Sequence, residues 1–434
     1  MNRYIGIWVN SNLPDSKSDC KWGQQMAPFG SQCRNPAAHS SAMQRNPAAI
    51  KSTIRSLIFS LIFCITLFAS LTAFSQVQFR KQMIAAESFE SVGVFDVNND
   101  GNLDIVSGDF WYEGPEFIKR HFIGHLNRSG DGQYWDDFAT IPLDVNGDGK
   151  MDYISGDWFS KSIWWRENPG NDEQWKLHII DTTGNVECIR GWDIDHDGTV
   201  EIVPNTPGSP LKFYKLEKDG NGKATGKFTK VVVAPTQEHG LGFGDINGDG
   251  AGDFIISDGW YESPKDPLKG KWIFHKEFNL GTASVPVLVE DVNKDGKSDL
   301  IVGQAHGYGL DWYEQKIDQQ GKRNWIKHPI DPFGSQYHTM EWADIDNDGQ
   351  NELITGKRYR AHNGNDPGSN DPVGLYYFKW NGESFTKSVI SYGPLGVGKG
   401  TGLFFCIADL HHTGRKDIIV AGKDGLYVFF NTAQ

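Results

Sequence analysis

A nine-residue pattern recurs seven times along this chain and constrains its fold more than any other feature. The copies are DVNNDGNLD at 96–104, DVNGDGKMD at 144–152, DIDHDGTVE at 193–201, DINGDGAGD at 245–253, DVNKDGKSD at 291–299, DIDNDGQNE at 344–352 and DLHHTGRKD at 409–417. Each is followed by a short apolar run such as IVSG, YISG or LIVG, then by an aromatic segment such as FWYEG or LDWYEQ. A last strand follows, as in FIKRHFIG, QWKLHIID, KWIFHKEF and NWIKHPID. Four short strands per repeat of about 50 residues is the pattern of a propeller blade. The predicted fold is all-β, a seven-bladed β-propeller with four-stranded blades. The seventh repeat runs out after its third strand, LYVFFNT, while VQFRKQMIA at 77–85 has the fourth-strand pattern and precedes the first blade. That N-terminal strand is expected to complete blade seven and leave no open sheet edge there.

The propeller is assigned to 76–434 and residues 1–75 to a leader. Residues 57–74 are apolar and uncharged, Lys51 and Arg55 precede them, and Ala73 and Ser75 offer a small-residue cleavage site. This is the layout of a secretory signal peptide. Met43 would make an ordinary start for it, so the upstream stretch reads as a mis-called start. The expected location is secreted, periplasmic or extracellular, with no membrane span after cleavage. The chain carries a net charge of −13. The leader is basic, so the propeller is more acidic still, which disfavours nucleic acid and anionic membranes. Cys188 and Cys406, widely spaced, read as small buried residues rather than a disulfide framework.

The loops place oxygens at positions one, three, five and nine with glycine at six, which suits a calcium ion wanting six to eight oxygen ligands. They resemble FG-GAP/VCBS repeats, and the resemblance covers essentially all of 77–434. It implies structural calcium in blades one to six. The ligands would be Asp96, Asn98, Asp100 and Asp104 in the first loop, and Asp144, Asn146, Asp148 and Asp152 in the second. The third would use Asp193, Asp195, Asp197 and Glu201, and the fourth Asp245, Asn247, Asp249 and Asp253. The fifth would use Asp291, Asn293, Asp295 and Asp299, and the sixth Asp344, Asp346, Asp348 and Glu352. Loop seven has His411 and Thr413 in place of two ligands and is expected to hold none.

A loop present in every blade cannot be one active site, so chemistry is sought where blades differ. Six residues before each loop aspartate, at the start of the innermost strand, stand Glu90, Phe138, Glu187, His239, Val285, His338 and Leu403. The loop after strand two, on the same face, brings His306 in blade five and Arg358, Tyr359 and His362 in blade six. His239, His306 and His338, with Glu187, are expected to converge on the channel and hold zinc or another divalent metal with an open position. Tyr134, Trp135, Asp137 and His362 are read as substrate contacts, and the polar insertion 360–372 as a rim or lid. Trp111, Trp164, Trp165, Trp260 and Trp312 read as blade packing rather than sugar platforms. His121, His178, His275 and His328, in the outermost strands, read as structural.

The segments EHGLGFGDI, GQAHGYGLDWYE and YHTMEWADID resemble the propeller domain of the aldos-2-ulose dehydratase/isomerase family. That resemblance implies a metal-dependent lyase or dehydratase acting on keto or oxidised sugars by β-elimination, with a carbohydrate ligand. Histidine would be the base, and Arg358 or Tyr359 would stabilise the enolate or act as acid. The alternative is a non-catalytic propeller of the cell envelope that binds glycans or proteins.

Overall fold

In a computed structural model of the chain, residues 77–129 and 134–433 are described. They belong to the unit Gln76–Gln434. The leader and its apolar run lie outside the described residues. No helix among the described residues is long and apolar enough to cross a membrane.

Seven four-stranded antiparallel sheets form the blades of a propeller, and the first six run from innermost to outermost strand in chain order. The innermost strands are Gly93–Phe95, Ile141–Leu143, Cys188–Trp192, Leu241–Gly244, Leu288–Glu290, Tyr337–Ala343 and Phe405–Ala408. Every second strand opens on position nine of its loop, from Asp104–Ser107 in blade one to Asp417–Val420 in blade seven. These strands are buried on both faces, which is why they read as unbroken apolar runs.

Blade seven takes its outermost strand from the other end of the chain. Phe79–Ala85 pairs antiparallel with Leu426–Asn431, with Phe79 opposite Asn431 and Ala85 opposite Leu426. A backbone bond from Thr432 to Gln78 extends the join.

The five tryptophans Trp111, Trp164, Trp165, Trp260 and Trp312 are all buried, as packing requires. Four outer-strand histidines lie flat on tryptophans of the neighbouring strand: His121 on Trp111, His178 on Trp165, His275 on Trp260 and His328 on Trp312. Each also bonds a glutamate on or just past the third strand, Glu113, Glu167, Glu262 or Glu314, at 2.7–3.0 Å. Cys188 and Cys406 are buried and free.

The repeated loop is shaped by its own carboxylates. In loop one, Asp96 accepts the amides of Asp100 and Gly101, and Asp100 accepts that of Asn102. Gly101 sits at φ 90°, and the sixth position of the other loops is likewise a glycine at positive φ, where a side chain would be strained. Position nine faces inward. Asp104 accepts the amide of Val97 within the loop at 2.8 Å and that of Gly114 beyond the third strand at 2.7 Å. Asp152 and Asp253 repeat this arrangement. So does Asp417, with Leu410 at 3.2 Å and Asn431 at 2.8 Å, in the loop that lacks ligands at positions three and five.

Position nine therefore has a structural duty whether or not a cation is present. Asp417→Ala orphans two amides next to a buried strand, which should cost about 2–5 kcal/mol. Urea unfolding with chelator present measures it, and a loss below about 0.5 kcal/mol would contradict the stapling role.

Candidate metal centre

Four blades each send one side chain to a single point on the face opposite the repeated loops. Glu187 precedes the inner strand of blade three, and His239 precedes that of blade four. His306 lies in the loop between Asp299–Gly303 and Leu310–Ile317 of blade five. His338 lies within the inner strand of blade six, where the pairing register slips between Tyr337 and Met340. Such an irregularity frees a side chain from the alternation of the strand and re-aims it.

One donor atom from each of the four residues lies within 4.8 Å of the others. Glu187 Oε1 is 2.9 Å from His338 Nε2, 3.5 Å from His239 Nε2 and 3.9 Å from His306 Nε2. The Nε2 atoms of His239 and His306 are 3.0 Å apart. Ligands of a tetrahedral zinc at 2.0–2.1 Å stand about 3.4 Å from one another, so this set has the right spread.

Proton placement points the same way. His239 Nδ1 is 2.8 Å from the Ala283 carbonyl, and a carbonyl only accepts, so Nδ1 carries the hydrogen. His306 Nδ1 is 3.1 Å from Asp366 Oδ2, so it also donates. In the neutral tautomer so fixed, each ring would present an Nε2 lone pair to the other, beside a carboxylate oxygen. His338 donates to Glu187 only by leaving its buried Nδ1 without a partner. Burial pushes His306 down to about 4, with His239 adding to the shift. Burial, then Arg358, hold His338 well below the usual imidazole range. Burial works to raise the Glu187 carboxyl, yet the two imidazoles beside it, His239 and His338, hold it well below normal. A divalent metal fits that donor set.

Around the four donors lies a second layer. Arg358 is fully buried, with Nε 3.0 Å from Glu90 Oε1 and Nη1 3.5 Å from Glu187 Oε1. It ties blade one to blade three across the channel and orients Glu187, rather than standing at an open reacting end. Lys423 Nζ is 3.6 Å from Glu90 Oε2 and 3.7 Å from the ring centre of Tyr134. Burial brings it down to about 8 against the pull of Glu90.

The other sequence candidates are dispersed. Tyr359 follows Arg358 and is half-buried. Tyr134 is buried beneath Lys423, with its hydroxyl unpartnered among the described residues. Trp135 is half-buried and donates to Ser88 Oγ at 3.1 Å. Asp137 is 2% exposed, and burial raises its carboxyl well above the usual range, so it is an internal acid rather than a solvent-facing contact. His362 is at the exposed rim, its ring stacked on His306 at 4.3 Å.

Asp366 was not singled out from sequence. It bonds both His306 Nδ1 and His362 Nδ1, at 3.1 and 2.9 Å, and so fixes the tautomer of one donor and the place of the other ring. The signal was its spacing from His362 within the insertion, where a short 3₁₀ turn at Ala361–Gly364 carries His362. The insertion is thus joined to the centre through a side chain as well as lying at its rim.

Residues 144–204 and 291–355 match the family model described as an FG-GAP-like repeat. No curated protein matches the chain. Each matched segment begins at a repeated aspartate loop and runs through the next one. The chain is a seven-bladed β-propeller carrying FG-GAP-like repeats.

Proposed function

We propose that this protein is a secreted, calcium-stabilised propeller that works as a metal-dependent carbon–oxygen lyase on keto or oxidised sugars. The observation that carries the reading is the convergence of Glu187, His239, His306 and His338 from four blades. The resemblance of their flanking segments to aldos-2-ulose dehydratase/isomerase supports the substrate class. A divalent ion held there supplies Lewis acidity toward a carbonyl oxygen. His362, with Nδ1 donating to Asp366, keeps Nε2 as the atom that takes the proton beside that carbonyl. The electron pair of that C–H bond forms the new double bond as the neighbouring C–O bond breaks. Tyr359 supplies the proton with which the leaving oxygen departs. Arg358 and Glu90 hold Glu187 in place throughout.

The test is elemental analysis of purified protein with incubation against a panel of keto and oxidised sugars. About one equivalent of zinc, manganese or iron beside calcium, with formation of an unsaturated product, is expected. Calcium alone and no product would sink the lyase reading. Chelation should also lower the unfolding temperature, with added calcium restoring it.

A second reading has its own observation. Phe159, Tyr308, Phe333, Leu395 and Val397 are exposed. All five lie in loops that join strands two and three or lead into an inner strand, so they share the face of the metal centre. A rim of this kind fits a glycan- or protein-binding propeller. Binding to a sugar array with no turnover would favour it.

A further inference from the structure

The seven blades fall into classes at one pair of positions. Position nine of the loop opens the second strand and lies across from one residue of the third strand. Position nine is Asp in five blades; one step along the printed register, that partner position holds Glu113, Glu167, Glu262 and Glu314 in blades one, two, four and five, and Phe430 in blade seven, whose loop lacks the ligands at positions three and five. Where position nine is Glu201 or Glu352, in blades three and six, it holds Lys215 or Lys379. Position three changes with it: Asn98, Asn146, Asn247 and Asn293 in the first class, Asp195 and Asp346 in the second.

The geometry explains the exchange. Lys215 Nζ stands 2.7 Å from Asp195, 2.8 Å from Asp197 and 3.1 Å from the buried Glu201. Lys379 Nζ contacts Asp346, lies 2.7 Å from Asp348 and 3.3 Å from the buried Glu352. In each loop the ammonium meets positions three, five and nine, the oxygens a calcium ion would need. Lysines near the other class behave differently. Lys150 and Lys297 touch only the position-five aspartate of their loops, from outside. Glu167 and Glu314 instead accept from Asn146 and Asn293 and add a carboxylate to the loop.

We propose that Lys215 and Lys379 are resident cations that fill loops three and six, so that calcium binds only in blades one, two, four and five. Calcium and a three-carboxylate ammonium cannot share one cage, because calcium needs those same oxygens. The expectation of calcium in all of blades one to six then gives way to four sites. The charge logic is self-consistent: the extra aspartate at position three offsets the lysine, and the longer glutamate reaches it. The inference rests on the calcium reading for its four filled loops, and the test separates the two.

Calcium is counted by elemental analysis after equilibrium dialysis against calcium, for the wild type and for Lys215→Met/Lys379→Met. Methionine keeps the length of the stem and removes the charge. The expected counts are four and six, with the single Lys379→Met variant at five. Equal counts in wild type and double variant would overturn the proposal, as would a wild type that binds five or six. A wild type that binds none defeats the calcium reading alone, and a gain of two in the variant still supports the lysines. Should the double variant fail to fold in calcium, the single Lys379→Met variant decides, one calcium more than the wild type upholding the proposal and an equal count ending it.

Discussion

His239→Ala and His338→Ala are each expected to lose the non-calcium metal and to cut turnover by about three orders of magnitude or more. Removing either imidazole breaks a set in which every donor comes from a different blade, and no neighbour can replace it. His239 is the cleaner variant. Its ring is partly exposed, and its loss costs one hydrogen bond, to the Ala283 carbonyl. His338 is fully buried, so its alanine variant also leaves a cavity. The fold should survive in both cases, because the blades are held by strands and tryptophans away from the centre. Elemental analysis, turnover and urea unfolding in calcium check the three parts. Retained metal in His239→Ala would refute the centre, whatever its turnover. The metal should also persist under mild acid. Burial keeps His306 near 4, so protons compete weakly for its Nε2, and the bound equivalent should remain as pH falls from 7 to about 5.

A chain lacking 77–85 is expected to lose most of its stability, about 5 kcal/mol or more. The deleted strand pairs along Leu426–Asn431, whose residues are buried except for Tyr427. Without it, a full row of backbone donors and acceptors opens to water, and Val428, Phe429 and Phe430 lose their cover. The cost spreads beyond one blade, because blade seven packs against blades one and six. Urea unfolding of chains beginning at 76 and at 86 measures the difference. A cooperative transition at the same midpoint in the shorter chain would show that the closing strand is dispensable.

The fold was legible because its unit is short and repeated: oxygens at fixed loop positions, apolar runs after them, and a missing strand matched by a spare one. The three histidines and Glu187 were legible for a related reason, since equivalent positions in a ring share an axis. Other parts of the site depend on distances across that ring, which spacing does not encode. Arg358 read as an open catalytic cation, but Glu90 and Glu187 come close enough to enclose it. Asp137 read as a substrate contact, but the short strand Tyr134–Trp135 turns it inward. Asp366 lies in an insertion with no counterpart in other blades, so no comparison could mark it. Lys215 and Lys379 were readable in principle, since each coincides with Asp at position three and Glu at position nine. Their meaning appeared only once strand register set them opposite those glutamates.

The closing strand also sets an order in time. Phe79 and Asn431 meet across about 350 residues, and bringing such distant segments together costs about 5 kcal/mol of chain entropy before any bond rewards it. At about 5–20 residues per second, a nascent Phe79–Ala85 waits roughly 20–70 s for its partner to be made. Throughout that interval it is a lone β-segment able to pair with another copy of itself. Arg80 and Lys81 fall within it, in adjacent positions that alternate to the two faces of the strand. Their charges are spent at the surface of the finished ring, stacked on Phe430 and Tyr427. Before closure they repel a second nascent chain, and so guard the one segment that the ring protects last.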